Sequence, residues 1–89
     1  MPNVPLDISK LDLVLYKFNS CPYCRMVMDF IEQEGLNIPM RDTMRDQGAH
    51  DDLIRIGGKG QVPCLVINGE ALYESRDIIR FLQSLKPRA

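Results

Sequence analysis

Two thiols three residues apart, Cys21 and Cys24, enclose a proline and a tyrosine. A pair at this spacing can close a disulfide, pass one on by exchange, or supply two ligands to a metal. In each case the reactive species is the thiolate, so the question is what would make one sulfur acidic. A thiol at the first turn of a helix faces unpaired backbone N–H groups and the positive end of the helix dipole, and both favour thiolate. The sequence predicts that position for Cys21, which is therefore expected to be the attacking sulfur. Pro22 has no N–H, which leaves the amides of Tyr23 and Cys24 as donors to that sulfur. Cys24, one turn further in, is expected to be more buried and to act as the resolving thiol. A structural zinc site needs four ligands, and only Cys64 and His50 remain, with no second Cys-x-x-Cys, so exchange is the stronger reading.

The elements that must hold this pair are readable on either side of it. From Leu11 to Tyr16 nearly every residue is apolar, as in a strand buried on both faces, and Asn19-Ser20 marks the turn that follows. Cys24, Val27, Met28 and Ile31 recur at three-and-four spacing, with Pro22 suited to the first helical turn and Gly35 to the end. The stretch Asn37 to Arg41 has room only for a short strand, which Pro39 assigns to an edge or to irregular structure. A second, shorter helix is expected from Asp46 to Ile56, ended by Gly57-Gly58. Val62 to Ile67, the turn Asn68-Gly69 and Ala71 to Tyr73 read as a β-hairpin. Ser75 is a good N-cap for a last helix carrying the stripe Ile78, Ile79, Leu82 and Leu85, stopped by Pro87.

The order is βαβαββα. A βαβ half makes parallel strands and a ββα half antiparallel ones, so one mixed four-stranded sheet with three helices over both faces accommodates both, giving an α/β fold. With 89 residues the chain has room for one core, expected over residues 11–89, preceded by an N-terminal extension at 1–10. Hydrophobic residues make up 45% and charged residues 26%, which argues against disorder, and a net charge of -1 gives no basic face for nucleic acid. The apolar runs are too short to cross a bilayer, and the start lacks the basic-then-apolar layout of a signal peptide. Three cysteines, an odd number, make a poor disulfide scaffold, and a cytoplasmic setting is expected.

Cys-Pro-Tyr-Cys after the first strand, Gly57-Gly58-Lys59-Gly60 and then Gln61-Val62-Pro63 resemble a glutaredoxin, over most of the chain from Leu11 to about Leu85. The run Leu72-Tyr73-Glu74-Ser75-Arg76-Asp77-Ile78-Ile79 is instead similar to the glutathione-binding corner of glutathione-transferase N-terminal domains and of transferase-like glutaredoxins. Both relatives imply a thioredoxin-like fold and glutathione as co-substrate, with no tightly bound cofactor or metal. The resemblance implies a cis bond before Pro63, which would let the backbone of Val62 pair with the cysteinyl backbone of glutathione. It implies that the turn at Glu74-Ser75 holds the γ-glutamyl carboxylate on free N–H groups of a helix start, with Glu74 or Asp77 accepting from the amine. Lys17, Lys59 and Gln61 are the candidates for the glycine carboxylate, and Tyr23 for packing on the tripeptide. Many glutaredoxins carry a lysine three residues before the first cysteine. Phe18 stands there, and Lys17 is one residue further away. Without the resemblance, Ser75 reads as a cap and Glu74 as a solvated acid.

Cys64 follows Pro63 and is either a packed core thiol or a third sulfur near the site, with packing favoured by how often cysteine is buried. His50 beside Asp51 and Asp52 reads as a solvated position. Met28 fits the core stripe, while the other methionines fill gaps or edge the site. The expected activity is reduction of protein disulfides and glutathione mixed disulfides by a monomeric enzyme. A non-catalytic glutathione-binding module is the alternative, since a full transferase's helical domain is missing. Two further rivals, a cluster carrier built as a glutathione-bridged dimer and a thioredoxin proper, are disfavoured by Pro22, and by Tyr23 with the Glu74 corner, respectively.

Overall fold

The computed structural model describes residues 10–85, so nearly all of the expected N-terminal extension, and Pro87, lie outside the described residues. Seven elements follow in the expected order: β1 (Leu13–Lys17), α1 (Pro22–Gln33), β2 (Met40–Asp42), α2 (Gln47–Gly57), β3 (Cys64–Ile67), β4 (Glu70–Tyr73) and α3 (Ser75–Ser84). They build one sheet in the order β2-β1-β3-β4, with β1 parallel to β2 and the other neighbours antiparallel, the arrangement of a thioredoxin-like fold. None of the described helices is long and apolar enough to cross a membrane.

The two-residue alternation of strands sorts the core into two layers. Leu13, Leu15 and Leu65 face α1 and α3, where they meet Val27, Ile31, Ile78 and Leu82. Tyr16, Cys64 and Val66 face the other way, against Ala49 and Leu53 of α2. Leu15, Leu53, Leu65, Ile78 and Leu82 are fully enclosed. Each such side chain contributes about 1.5–3 kcal/mol by leaving water, so the central strands anchor the sheet from both faces.

Three strand starts fall two or more residues later than in the sequence reading. β1 starts at Leu13 rather than Leu11, because Asp12 is occupied elsewhere: its N–H donates to Asn68 Oδ1 (2.9 Å) and its carbonyl accepts from Asn68 N–H (2.8 Å). β2 starts at Met40, since Pro39 has no N–H to give, although its carbonyl still accepts from Leu15 N–H at 2.9 Å. β3 opens at Cys64, two residues later than expected, after a cis bond between Val62 and Pro63. Asn68 and Gly69 carry φ angles of 50° and 87°, the left-handed pair that a tight hairpin turn requires.

Candidate active site

Cys21 is the N-cap of α1, in extended conformation, and Pro22 fills the first helical position, where its missing N–H costs nothing. The Cys21 sulfur accepts the backbone N–H of Cys24 at 3.2 Å, so the thiol occupies the place that a serine or aspartate side chain holds in an ordinary cap. Of the two expected amide donors, Cys24 makes this bond. The backbone of the turn is tied down on both sides, with Cys21 N–H on Phe18 carbonyl (3.3 Å) and Cys21 carbonyl accepting from Arg25 N–H (3.0 Å). Cys21 is 8% exposed and Cys24 fully enclosed, and both are free thiols.

The surroundings distinguish the two sulfurs. Burial, followed by its hydrogen-bonded neighbour Cys21, pushes the Cys24 thiol up to about 12, with the Phe18 backbone and the Lys17 charge pulling partly the other way. Cys24 is therefore held as a neutral thiol near pH 7, while Cys21 has a backbone donor aimed at its sulfur.

A cleft of about 670 Å³ runs from the first turns of α1 to the first turn of α3. Tyr23 and Met26 form one wall, Gln61, Val62 and Pro63 its floor, and Glu74, Ser75, Arg76 and Asp77 the other wall. Neither cysteine lines it. Cys21 adjoins it along the chain, two residues before the exposed ring of Tyr23. Glu74 rather than Ser75 occupies the N-cap of α3, one residue earlier than the sequence reading, and its side chain makes no capping bond. Its φ of 75° lies in the region that favours glycine, a backbone cost of roughly 1–3 kcal/mol, borne here by a non-glycine residue facing the cleft. The β3–β4 ladder ends at the Cys64–Tyr73 pair, so Val62 stands outside it.

Seven of the expected site residues outside the Cys pair thus meet in one cleft: Tyr23, Gln61, Val62, Pro63, Glu74, Ser75 and Asp77. Lys17 is elsewhere. Its ammonium binds Asn19 Oδ1 at 2.8 Å and lies 3.6 Å from Asp42 Oδ2. Lys59 sits over the Tyr73 ring, 4.6 Å from its centre, and is likewise not part of the cleft lining. Cys64 is fully buried in the α2-side core, and burial pushes its thiol up to about 11. Met26 proves to be a methionine that edges the site. Arg76 was missed by sequence reasoning, because a single arginine in a helical first turn carries no signal of its own. Among the described residues, no three His, Cys, Asp or Glu side chains gather to hold a metal.

The glutathione S-transferase N-terminal domain family matches residues 15–89. The chain belongs to that family. A search of curated proteins found no match. Among solved structures, a thioredoxin-like protein is 26% identical, with a TM-score of 0.70, over 82% of this chain and 97% of that one. Glutathione transferase Omega 3C from Trametes versicolor is 29% identical, with a TM-score of 0.67, over 81% of this chain and 32% of that one. Glutaredoxin C1 from Populus tremula x tremuloides shares the fold at 20% identity and a TM-score of 0.63, over 81% of this chain and 74% of that one. The chain therefore spans nearly all of the thioredoxin-like protein but about a third of the transferase. Family membership supports a glutathione-related role.

Proposed function

We propose that the protein is a glutathione-dependent thiol–disulfide oxidoreductase that uses Cys21 as its nucleophile. The observation that carries this reading is the capping geometry: Cys21 Sγ accepts the Cys24 N–H at a helix start, next to a cleft of tripeptide size. The Cys21 thiolate attacks the glutathione sulfur of a mixed disulfide, so that a Cys21–glutathione bond forms and the substrate thiolate leaves. A second glutathione thiolate attacks the glutathione sulfur of that adduct, releasing glutathione disulfide and the Cys21 thiolate. For a protein disulfide, Cys24 attacks Cys21 in the enzyme–substrate adduct and leaves a Cys21–Cys24 bond, which two glutathiones reduce in turn.

In this reading Val62 pairs with the cysteinyl backbone of glutathione, and Pro63 shapes the floor beneath it. The N–H groups of the first turn of α3, which no side chain of Glu74 caps, hold the γ-glutamyl carboxylate. Glu74 and Asp77 take its amine, Gln61 donates to the glycine carboxylate, and Tyr23 packs along the peptide. Lys17, held by Asn19 and Asp42, is left out of ligand binding. The protein substrates are disulfide-bonded or glutathionylated proteins, and the setting is a reducing cytoplasm, where the protein works as a monomer.

A second reading, a glutathione-binding module without catalysis, has one observation behind it: Cys21 is 8% exposed and does not line the cleft. Glutathione-dependent reduction of a small mixed disulfide separates the two. Turnover in wild type, lost in Cys21→Ser and kept in Cys24→Ser, is the expected result. Glutathione binding without turnover in wild type would replace the enzyme by the module.

A further inference from the structure

The floor of the cleft, Gln61-Val62-Pro63, is held near both ends by one tyrosine that does not line it. Upstream, the Tyr73 hydroxyl donates to the Lys59 carbonyl at 2.9 Å, and the Lys59 ammonium lies over the same ring, 4.6 Å from its centre. Downstream, Tyr73 is the ladder partner of Cys64, the residue that follows Pro63. After Tyr73 comes Glu74, whose φ of 75° turns the chain into α3 and begins the opposite wall. The segment Gly57 to Gly60 has three glycines in four residues, so contacts from outside must fix its position. Two such contacts are tight. A methyl group on Gly60 would come within 3.0 Å of His50 Nε2, and one on Gly57 would overlap the Tyr73 hydroxyl oxygen.

We propose that Tyr73 is a positioning residue for glutathione binding: by tying Lys59 to the strand that leads into Glu74, its hydroxyl fixes the separation of the cleft's floor from its wall. The inference rests on glutathione as the ligand of this cleft, as argued above. In that reading the Val62 backbone takes the cysteinyl unit and the Glu74-Ser75 turn takes the γ-glutamyl unit. One ligand is thus gripped by two segments 12 residues apart in the chain. If the floor wanders, it must be ordered when the ligand arrives, and that ordering is subtracted from the affinity. The Tyr73 bond sets the spacing beforehand. The Cys21–Cys24 turn is held instead by the backbones of Phe18 and Arg25, so binding and chemistry depend on different contacts.

Replacing Tyr73 by phenylalanine keeps the ring under Lys59 and removes only the hydroxyl. Gly57→Ala reaches the same bond from the other side, because its methyl group drives the phenol off the Lys59 carbonyl. The two variants share no chemistry except that bond.

The test pairs two measurements: the Kd of S-methylglutathione, a thioether that cannot exchange, by calorimetry, and KM and kcat for a small glutathione mixed disulfide. In Tyr73→Phe, Kd and KM should rise about three- to tenfold, the range open to one neutral hydrogen bond, while kcat stays at the wild-type value. Gly57→Ala should weaken binding to a similar extent, and the double variant should bind no worse than the weaker single one, because the same bond is lost only once. A tyrosine that served the fold alone would lower the urea midpoint and leave the Kd of the folded protein unchanged. That result overturns the proposal, as do losses that multiply in the double variant. Should Tyr73→Phe fail to fold, the Kd of Gly57→Ala decides the question. Wild type that binds S-methylglutathione without turnover would end the oxidoreductase reading and leave the role of Tyr73 standing, whereas turnover with a Kd indifferent to Tyr73→Phe would do the opposite.

Discussion

Two buried thiols in this molecule, Cys24 and Cys64, have the same exposure and opposite prospects. Both are fully enclosed, and burial pushes both well above the ordinary thiol value of 9.0. Cys24 lies one turn into α1, with its N–H on the Cys21 sulfur at 3.2 Å, so a second thiol stands beside it in the same turn. Cys64 lies in β3 on the opposite layer, packed with Tyr16, Ala49, Leu53 and Val66 and touched by the Tyr73 hydroxyl. The difference teaches that burial alone says little about what a cysteine does. The element that carries it decides whether another sulfur can be reached.

The sharpest way to break this comparison is to remove the thiols one at a time. Cys21→Ser should abolish glutathione-dependent reduction, whereas Cys64→Ala should leave the rate near wild type and lower stability by about 1–2 kcal/mol through the small cavity it opens. A Cys64 variant that loses turnover while staying folded would move Cys64 into the chemistry. The next effect is on the layers themselves. Leu65, fully buried between α1 and α3, should cost about 2–5 kcal/mol when cut to alanine, measured by urea unfolding, because it opposes Val27, Ile31 and Ile78 at once.

A further effect concerns pH. A thiol whose folded pKa is raised stabilises the fold fully below the unfolded value of 9.0, and that contribution is lost as pH climbs through the folded value. Stability should therefore decline between pH 9.0 and about 11 on account of Cys64. Closing the Cys21–Cys24 disulfide removes the Cys24 part of this decline and leaves the Cys64 part, whereas Cys64→Ala does the reverse. An oxidised protein with a flat stability profile from pH 8 to 11 would contradict the environment described for Cys64.

The sequence reading reached the order of all seven elements, the sheet's mixed character and most of the cleft, because apolar spacing, Pro22, Gly35 and Asn68-Gly69 each leave a local mark. What it missed depends on contacts distant in the chain. The pairing of Lys17 with Asp42 follows from the β1–β2 register, which no local pattern fixes, and it explains why Lys17 is turned from the cleft. The cap of α3 was placed at Ser75 because serine is the better capping residue, and the positive φ of Glu74 cannot be read from a glutamate. Arg76 in the cleft wall lay within the Leu72–Ile79 run but had no signature that set it apart, and Asp42 beside Lys17 had none at all.

One packing detail bears on how much variation the chain tolerates. Gly57 closes α2 directly against the phenol of Tyr73, and a methyl group there would overlap the ring oxygen, which otherwise donates to the Lys59 carbonyl at 2.9 Å. A single hydrogen in place of a side chain thus couples the loop before Gln61 to the strand that leads into Glu74. Sequence drift at position 57 would be felt at the floor and one wall of the cleft together, so that the two are free to evolve only in step.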